Sequence, residues 1–221
     1  MSKRASILIP AYNEAGQIEA VLRALTSLPE DEFEVIVIDD ASTDDTGQKA
    51  RQFPQVEVIR HPKNMGKTAA IATGFLRASA PVIVLLDADL IGFQPGHLLQ
   101  MIAPIESGET PAVVGIFRKG RFSTDFAHRI APSLSGQRAF SRALLQQFPF
   151  ERYVGYQLER SLEKWLNNQG ITPLPVPLFG VSQKMKEEKM GFLKGVWGRV
   201  KMYCQIVKGE FRSAVPLHRK M

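Results

Sequence analysis

Along the first 118 positions, apolar residues alternate between two rhythms. Short β-prone runs at Ser6-Ile7-Leu8-Ile9-Pro10, Phe33 to Ile38, Val56-Glu57-Val58-Ile59 and Val82-Ile83-Val84-Leu85-Leu86 read as strands. Helical spacing fills the gaps: Ile18, Val21, Leu22 and Leu25 mark a helix from Ala15 to Leu28, ended by Pro29. A second helix is expected to be capped within Ser42-Thr43-Asp44-Asp45-Thr46, a third to run from about Lys67 to Ala78, and a fourth near His97 to Ile105. Ala112-Val113-Val114-Gly115 starts a further strand. Strands alternating with helices predict an α/β fold, a mostly parallel sheet flanked by helices and wound by right-handed crossovers.

After Arg118 the rhythm loosens. Helices are expected around Arg142 to Gln147 and Tyr156 to Asn168, and Leu174-Pro175-Val176-Pro177-Leu178 reads as an edge strand, because proline cannot donate to a central ladder. In the tail, Leu193, Val196, Trp197, Val200, Tyr203 and Val207 recur at helical spacing, with Lys194, Lys201 and Lys208 mostly on other faces. The expected division is a domain over 1–180, with halves of about 1–118 and 119–180, and a basic amphipathic helical extension over 181–221.

Composition narrows the class. At 221 residues, with 44% hydrophobic and 23% charged residues, the chain is long enough for one well-buried domain and is not of disordered type. No stretch supplies the ~18 to 20 apolar residues of a membrane-spanning helix, and Met1-Ser2-Lys3-Arg4 lacks the pattern of a secretory signal, so a cytoplasmic location is expected. The single cysteine, Cys204, excludes an intrachain disulfide and a multi-cysteine metal site. The net charge of +6 belongs to the tail: Val181 to Met221 holds ten Lys or Arg against three Glu, and the first 180 residues hold 18 basic against 19 acidic. Such a segment suits an anionic membrane surface, with Phe192, Leu193 and Trp197 at the interface. Alternatively, its apolar stripe packs on the domain and turns the lysines outward.

Polar clusters follow three of the strands. They are Pro10-Ala11-Tyr12-Asn13-Glu14, Asp39-Asp40-Ala41-Ser42 and Asp87-Ala88-Asp89. Each alone is compatible with turn and cap chemistry, but all three fall at the sheet edge where open α/β folds bind ligands. Residues i and i+2 of an extended segment point the same way, so Asp87 and Asp89 are expected to converge on one Mg²⁺ or Mn²⁺ completed by water and phosphate oxygens. A carboxylate such as Asp40 can accept the N–H of uracil or guanine, and Glu14 can accept from ribose hydroxyls. Asn64-Met65-Gly66-Lys67-Thr68 is not a Walker loop, since His61 stands where its first glycine belongs. It remains a glycine turn into a helix start, which suits a diphosphate or an ordinary helix equally. His61, His97, His128 and His218 are scattered, as surface or structural histidines are.

Taken together and in this order, Pro10-Ala11-Tyr12-Asn13-Glu14, Asp39-Asp40-Ala41-Ser42-Thr43-Asp44, Asn64-Met65-Gly66-Lys67 and Asp87-Ala88-Asp89-Leu90 resemble the GT-A (Rossmann-like) domain of family 2 glycosyltransferases. Ser135-Gly136-Gln137-Arg138-Ala139-Phe140 is similar to the Ser-Gly-x-Arg segment of polyprenyl-phosphate (dolichyl-phosphate) sugar synthases. Gly155-Tyr156-Gln157-Leu158-Glu159 is similar to their Gly-x-x-x-Glu helix, and to glucosyl-3-phosphoglycerate synthases. The resemblance implies a metal-dependent transferase that takes a sugar from a UDP- or GDP-sugar, with a lipid-linked or phosphorylated acceptor. It puts Pro10, Ala11, Tyr12 and Glu14 at the nucleoside, Asp40 at the base, Lys67 near base or phosphate, and Asp87, Ala88 and Asp89 around Mg²⁺ or Mn²⁺, with Asp89 the principal ligand. Arg118 and Arg138 fall near phosphate and Glu159 near the transferred sugar or acceptor. Asp125 and Glu159 are the candidate bases, although an acceptor that is already an ionised phosphate needs no strong base. Ile91 stands where such synthases often place a Gln ligand, and Gly180-Val181-Ser182-Gln183-Lys184 supplies no His or Arg there. Two other classes fit parts of the pattern: a nucleotidyltransferase, and an inactive GT-A-like module that binds nucleotide or membrane. Nucleic acid is not an expected partner.

Overall fold

A computed structural model describes residues 3–118, 136–153 and 157–183 of the chain. Seven strands form one sheet in the order β3-β2-β1-β4-β7-β6-β8. They are β1 (Ala5–Ala11), β2 (Phe33–Asp39), β3 (Val56–Arg60), β4 (Val82–Leu85), β6 (Ala112–Arg118), β7 (Arg138–Ser141) and β8 (Leu174–Phe179). β5 (Leu90–Ile91) stands outside that sheet. The ladders β1·β2, β1·β4, β2·β3 and β6·β8 are parallel, and β7 alone runs antiparallel to both its neighbours. The expected α/β class and mostly parallel sheet are what the chain adopts.

Period-two alternation explains why the sheet is covered on both sides. Ile7, Ile9, Val35, Val37 and Val84 pack on one face with α1 (Ile18–Leu25) and α4 (Pro95–Glu106). Leu8, Ile36, Ile38, Ile83, Leu85 and Phe140 pack on the other with α3 (Lys67–Arg77) and α6 (Leu158–Asn168). α2 (Thr46–Ala50) and α5 (Arg142–Leu145) are short. Trp165 of α6 meets Phe148 edge-to-face at 5.4 Å, closing that second layer.

Chain direction explains the proline positions. Pairing of β1 with β4 ends at Leu8↔Leu85, with the Leu86 N–H donating to the Leu8 carbonyl, so Pro10 lies past that ladder. β8 is the sheet's edge, as Pro175 and Pro177 predict; both are exposed while the alternating Val176 and Leu178 are buried. The winding reverses between β1 and β4, and a crevice outside their carboxyl ends is where α/β sheets take ligands.

Three boundaries differ from expectation. α1 spans Ile18–Leu25 rather than Ala15 to Leu28, because residues 15–17 form a turn tied to the loop after β2. β4 stops at Leu85 and Ala88-Asp89 lie in a turn, so the strand argument for parallel Asp87 and Asp89 side chains does not apply. β7 was not foreseen as a strand; it fits between β4 and β6 through Phe140, which pairs with Ile83 and Ala112. The chain divides into compact units of residues 1–182 and 183–221. The amphipathic tail, Cys204, His128 and His218 lie outside the described residues. Among the described residues, no helix is long and apolar enough to cross a membrane.

Phe140→Ala is expected to lower the unfolding free energy by about 3–5 kcal/mol in urea titrations, because its fully buried ring faces the second core layer. Phe179→Ala, at a ring 65% exposed, is expected to change it by less than about 0.5 kcal/mol.

Candidate functional site

The loops after β1 and β2 are welded to each other. Asn13 Oδ1 accepts from the Thr43 N–H at 2.8 Å, the Asn13 N–H donates to Ser42 Oγ at 3.1 Å, and the Glu14 N–H donates to Thr46 Oγ1 at 2.8 Å. Asn13 (φ 57°) and Ala41 (φ 61°) both adopt the left-handed region, which asparagine tolerates and alanine enters only under constraint. Asp44 accepts from the Ala15 N–H at 3.2 Å, the Thr46 N–H at 3.0 Å and the Thr46 hydroxyl. Burial opposes its ionised form, yet these donors hold its carboxyl below the ordinary carboxylate range.

The adjacent aspartates after β2 separate into two roles. Asp39 is fully buried: Oδ2 pairs with Arg60 Nη1 at 2.5 Å and Oδ1 accepts the Ser42 N–H at 2.8 Å. A Cβ on Gly47 would lie 2.4 Å from Asp39 Oδ2, so that glycine is what admits the carboxylate. Asp40, 4% exposed, accepts the N–H groups of Met65 at 2.8 Å and Gly66 at 2.7 Å. Nδ1 of His61 lies 2.7 Å from Asp40 Oδ1, and its Nε2 lies 3.0 Å from Thr73 Oγ1. Gly66, at φ 87°, opens α3 as the glycine turn predicts, but the donors ahead of the helix go to Asp40.

Lys67, the first residue of α3, sits between two carboxylates. Its Nζ is 2.6 Å from Asp87 Oδ1 and 2.5 Å from Glu159 Oε1 on the first turn of α6. Burial lowers the ammonium's pKa, but the attraction of Asp87 and Glu159 exceeds it and holds the group above an ordinary lysine. The other Asp87 oxygen accepts from Gln137 Nε2 at 2.9 Å. Arg138, buried in β7, has its pKa lowered by burial, against the attraction of Glu159 and Glu163.

The sequence-predicted residues thus gather unevenly. Lys67, Asp87 and Glu159 are in direct contact, and Arg138 feels Glu159 electrostatically. Pro10 and Ala11 end β1, Tyr12 is 46% exposed beyond it, Glu14 is half-buried, Ala88 is buried, Asp89 half-buried, and Arg118 closes β6. Asp125, Ser135 and Gly155-Tyr156 lie outside the described residues. Among the described residues, no group of three or more His, Cys, Asp or Glu is placed to hold a metal. Asp87 and Asp89 are hard oxygen donors, the type Mg²⁺ takes one or two of when substrate phosphates complete its shell. Gln137, His61 and Thr73 were missed as contributors. Only the Ser-Gly-x-Arg spacing around Gln137 pointed near them.

The chain matches the family described as Glycosyl transferase family 2 over residues 6–164. It is 34% identical over 121 residues to dolichol-phosphate mannosyltransferase of Pyrococcus furiosus, covering 53% of this chain and 34% of that one. It is 34% identical over 96 residues to a dolichyl-phosphate beta-glucosyltransferase of Trichomonas vaginalis, covering 38% and 28%. The match therefore spans about a third of these curated relatives' length. Among solved structures, it is similar to glucosyl-3-phosphoglycerate synthase of Mycobacterium tuberculosis, with TM-score 0.69, 27% identity, and coverage of 82% of this chain and 72% of that one. That enzyme is seen with Mn²⁺, UDP and glucosyl-3-phosphoglycerate, and with Mg²⁺ and UDP. The α/β sheet described above is thus of GT-A type.

Lys67→Met leaves Asp87 and Glu159 facing each other without their cation. The variant is expected to lose about 1–3 kcal/mol of stability at pH 8, because a partly buried charge is left uncompensated. Because Asp87 and Glu159 hold the Lys67 ammonium above an ordinary lysine, the parent's advantage is expected to be full below the ordinary lysine range and to be lost as pH rises through the raised value. Thermal melts of both proteins at pH 8 measure the deficit.

Proposed function

The chain belongs to glycosyl transferase family 2, and on that premise we propose that it transfers a sugar from a UDP- or GDP-sugar to a lipid-linked or phosphorylated acceptor. The observation that carries this is the cluster of Lys67, Asp87 and Glu159 at the sheet's switch point, beside the welded loops after β1 and β2. Pro10, Ala11, Tyr12 and Glu14 border the nucleoside in this reading. Asp40 reads the base from a carboxylate held rigid by Met65, Gly66 and His61. Asp89, with Asp87 and Ala88 beside it, would hold Mg²⁺ or Mn²⁺ together with the donor's diphosphate.

Breaking the bond between the anomeric carbon and the diphosphate leaves negative charge on the departing β-phosphate. The bound cation would offset that charge. Lys67, Arg118 and Arg138 supply fixed positive charge on the same side, in a site where partial burial strengthens each interaction. Glu159, on α6 across Lys67 from Asp87, orients the transferred sugar or the acceptor, and Asp125 is a candidate base for an acceptor hydroxyl. The dolichol acceptors named for two relatives support a lipid-linked acceptor, and the phosphoglycerate product bound by the mycobacterial enzyme supports a phosphorylated one.

A thermal-shift panel of UDP, GDP, TDP and CDP with and without Mn²⁺ tests the donor assignment. UDP or GDP is expected to raise the melting temperature much more with Mn²⁺ than without it, and Asp89→Ala to abolish the metal-dependent part together with donor turnover. Nucleotide binding without turnover of any donor would favour a non-catalytic module. For the basic segment 181–221, the full chain is expected to float with anionic vesicles at low salt and to be released at high salt. Absence of binding at low salt would remove the membrane from this account.

A further inference from the structure

We propose that Gln137 is a positioning residue that holds Asp87 in its working orientation. The inference rests on the donor-site reading above and deepens it. Gln137 occupies the unspecified position of Ser-Gly-x-Arg, and its side chain is fully buried. Its Oε1 accepts the Asp87 N–H at 3.0 Å, while its Nε2 donates to Asp87 Oδ2 at 2.9 Å. One amide therefore grips both the backbone and the carboxylate of the same residue, which fixes the torsions between them. With Lys67 on Oδ1 at 2.6 Å, each carboxylate oxygen is oriented from a different element.

The surroundings hold Gln137 in place. Its carbonyl accepts the Gly115 N–H at 2.8 Å, and a Cβ on Gly115 would stand 3.1 Å from the Gln137 Cβ, so β6 presses on its stem. On the other side, a Cβ on Gly136 would fall 2.3 Å from Asp87 Oδ2, so the carboxylate lies directly against this backbone. The choice of an amide follows from charge. A lysine here would add a second cation beside Lys67, and a glutamate would repel Asp87; glutamine orients the carboxylate without changing the charge of the cluster.

The test uses the full chain with Mn²⁺ and either UDP or GDP. Gln137→Met removes both hydrogen bonds at similar volume, and Gln137→Asn keeps a neutral amide that is too short to reach both groups. Mn²⁺ affinity at saturating nucleotide, read from the free-ion electron paramagnetic resonance signal, is expected to fall about tenfold in each variant. Nucleotide affinity in EDTA is expected to stay unchanged, a split that general loosening of the fold would not produce. If Gln137→Met fails to melt cooperatively, Gln137→Asn carries the decision. A folded variant that binds Mn²⁺ and nucleotide as the parent does overturns the assignment. A parent that shows no metal-dependent binding of UDP or GDP overturns the donor-site reading, and the inference with it.

Discussion

A carboxylate drawn partly out of water must be held by donors, and at the carboxyl end of β4 that requirement organises the molecule. Asp87 is met by Lys67 from the start of α3, by Gln137 from the approach to β7, and through Lys67 by Glu159 from the start of α6. Four elements remote in sequence are brought to one point by one side chain. Gly136 admits it, since any Cβ there would collide with Oδ2. The antiparallel insertion of β7 between β4 and β6 is what delivers Gly136, Gln137 and Arg138 to this place.

The neighbouring loops solve a different problem. Backbone N–H groups leaving β1 and β2 lose their ladder partners, and the chain satisfies them crosswise through Asn13, Ser42, Asp44 and Thr46. The chain there adopts left-handed backbone at Asn13, which the crosswise bonds hold through both its N–H and its side chain, and at Ala41, whose N–H donates to the Asp39 carbonyl. Such stiffness suits recognition of a flat, rigid base, which is bound with less loss of freedom by loops already in place.

Much of this was legible in sequence because it is local. Apolar runs such as Phe33 to Ile38 marked buried strands, Pro175 and Pro177 marked the edge, and Gly66 marked the start of α3. The assignment to family 2 came from the order of four short motifs, and the chain belongs there. What remained hidden depends on pairing between distant segments. Nothing local distinguishes Asp39, buried against Arg60, from Asp40, which ties the 61–66 loop; the distinction arises from which side of β2 each one leaves. Arg138-Ala139-Phe140-Ser141 is too short for its periodicity to announce a strand, and Gln137 gains its meaning only once β7 lies beside β4. The argument for convergence of Asp87 and Asp89 assumed extended backbone, whereas Ala88-Asp89 form a turn, so strand geometry does not bear on it.

The most direct measurement is a crystal structure of the chain with Mn²⁺ and UDP or GDP, with the metal located by anomalous scattering. The account predicts one peak within about 2.2 Å of an Asp89 oxygen and of diphosphate oxygens, outside the carboxyl ends of β1 and β4. A metal or diphosphate bound away from Asp89 and that edge would contradict it.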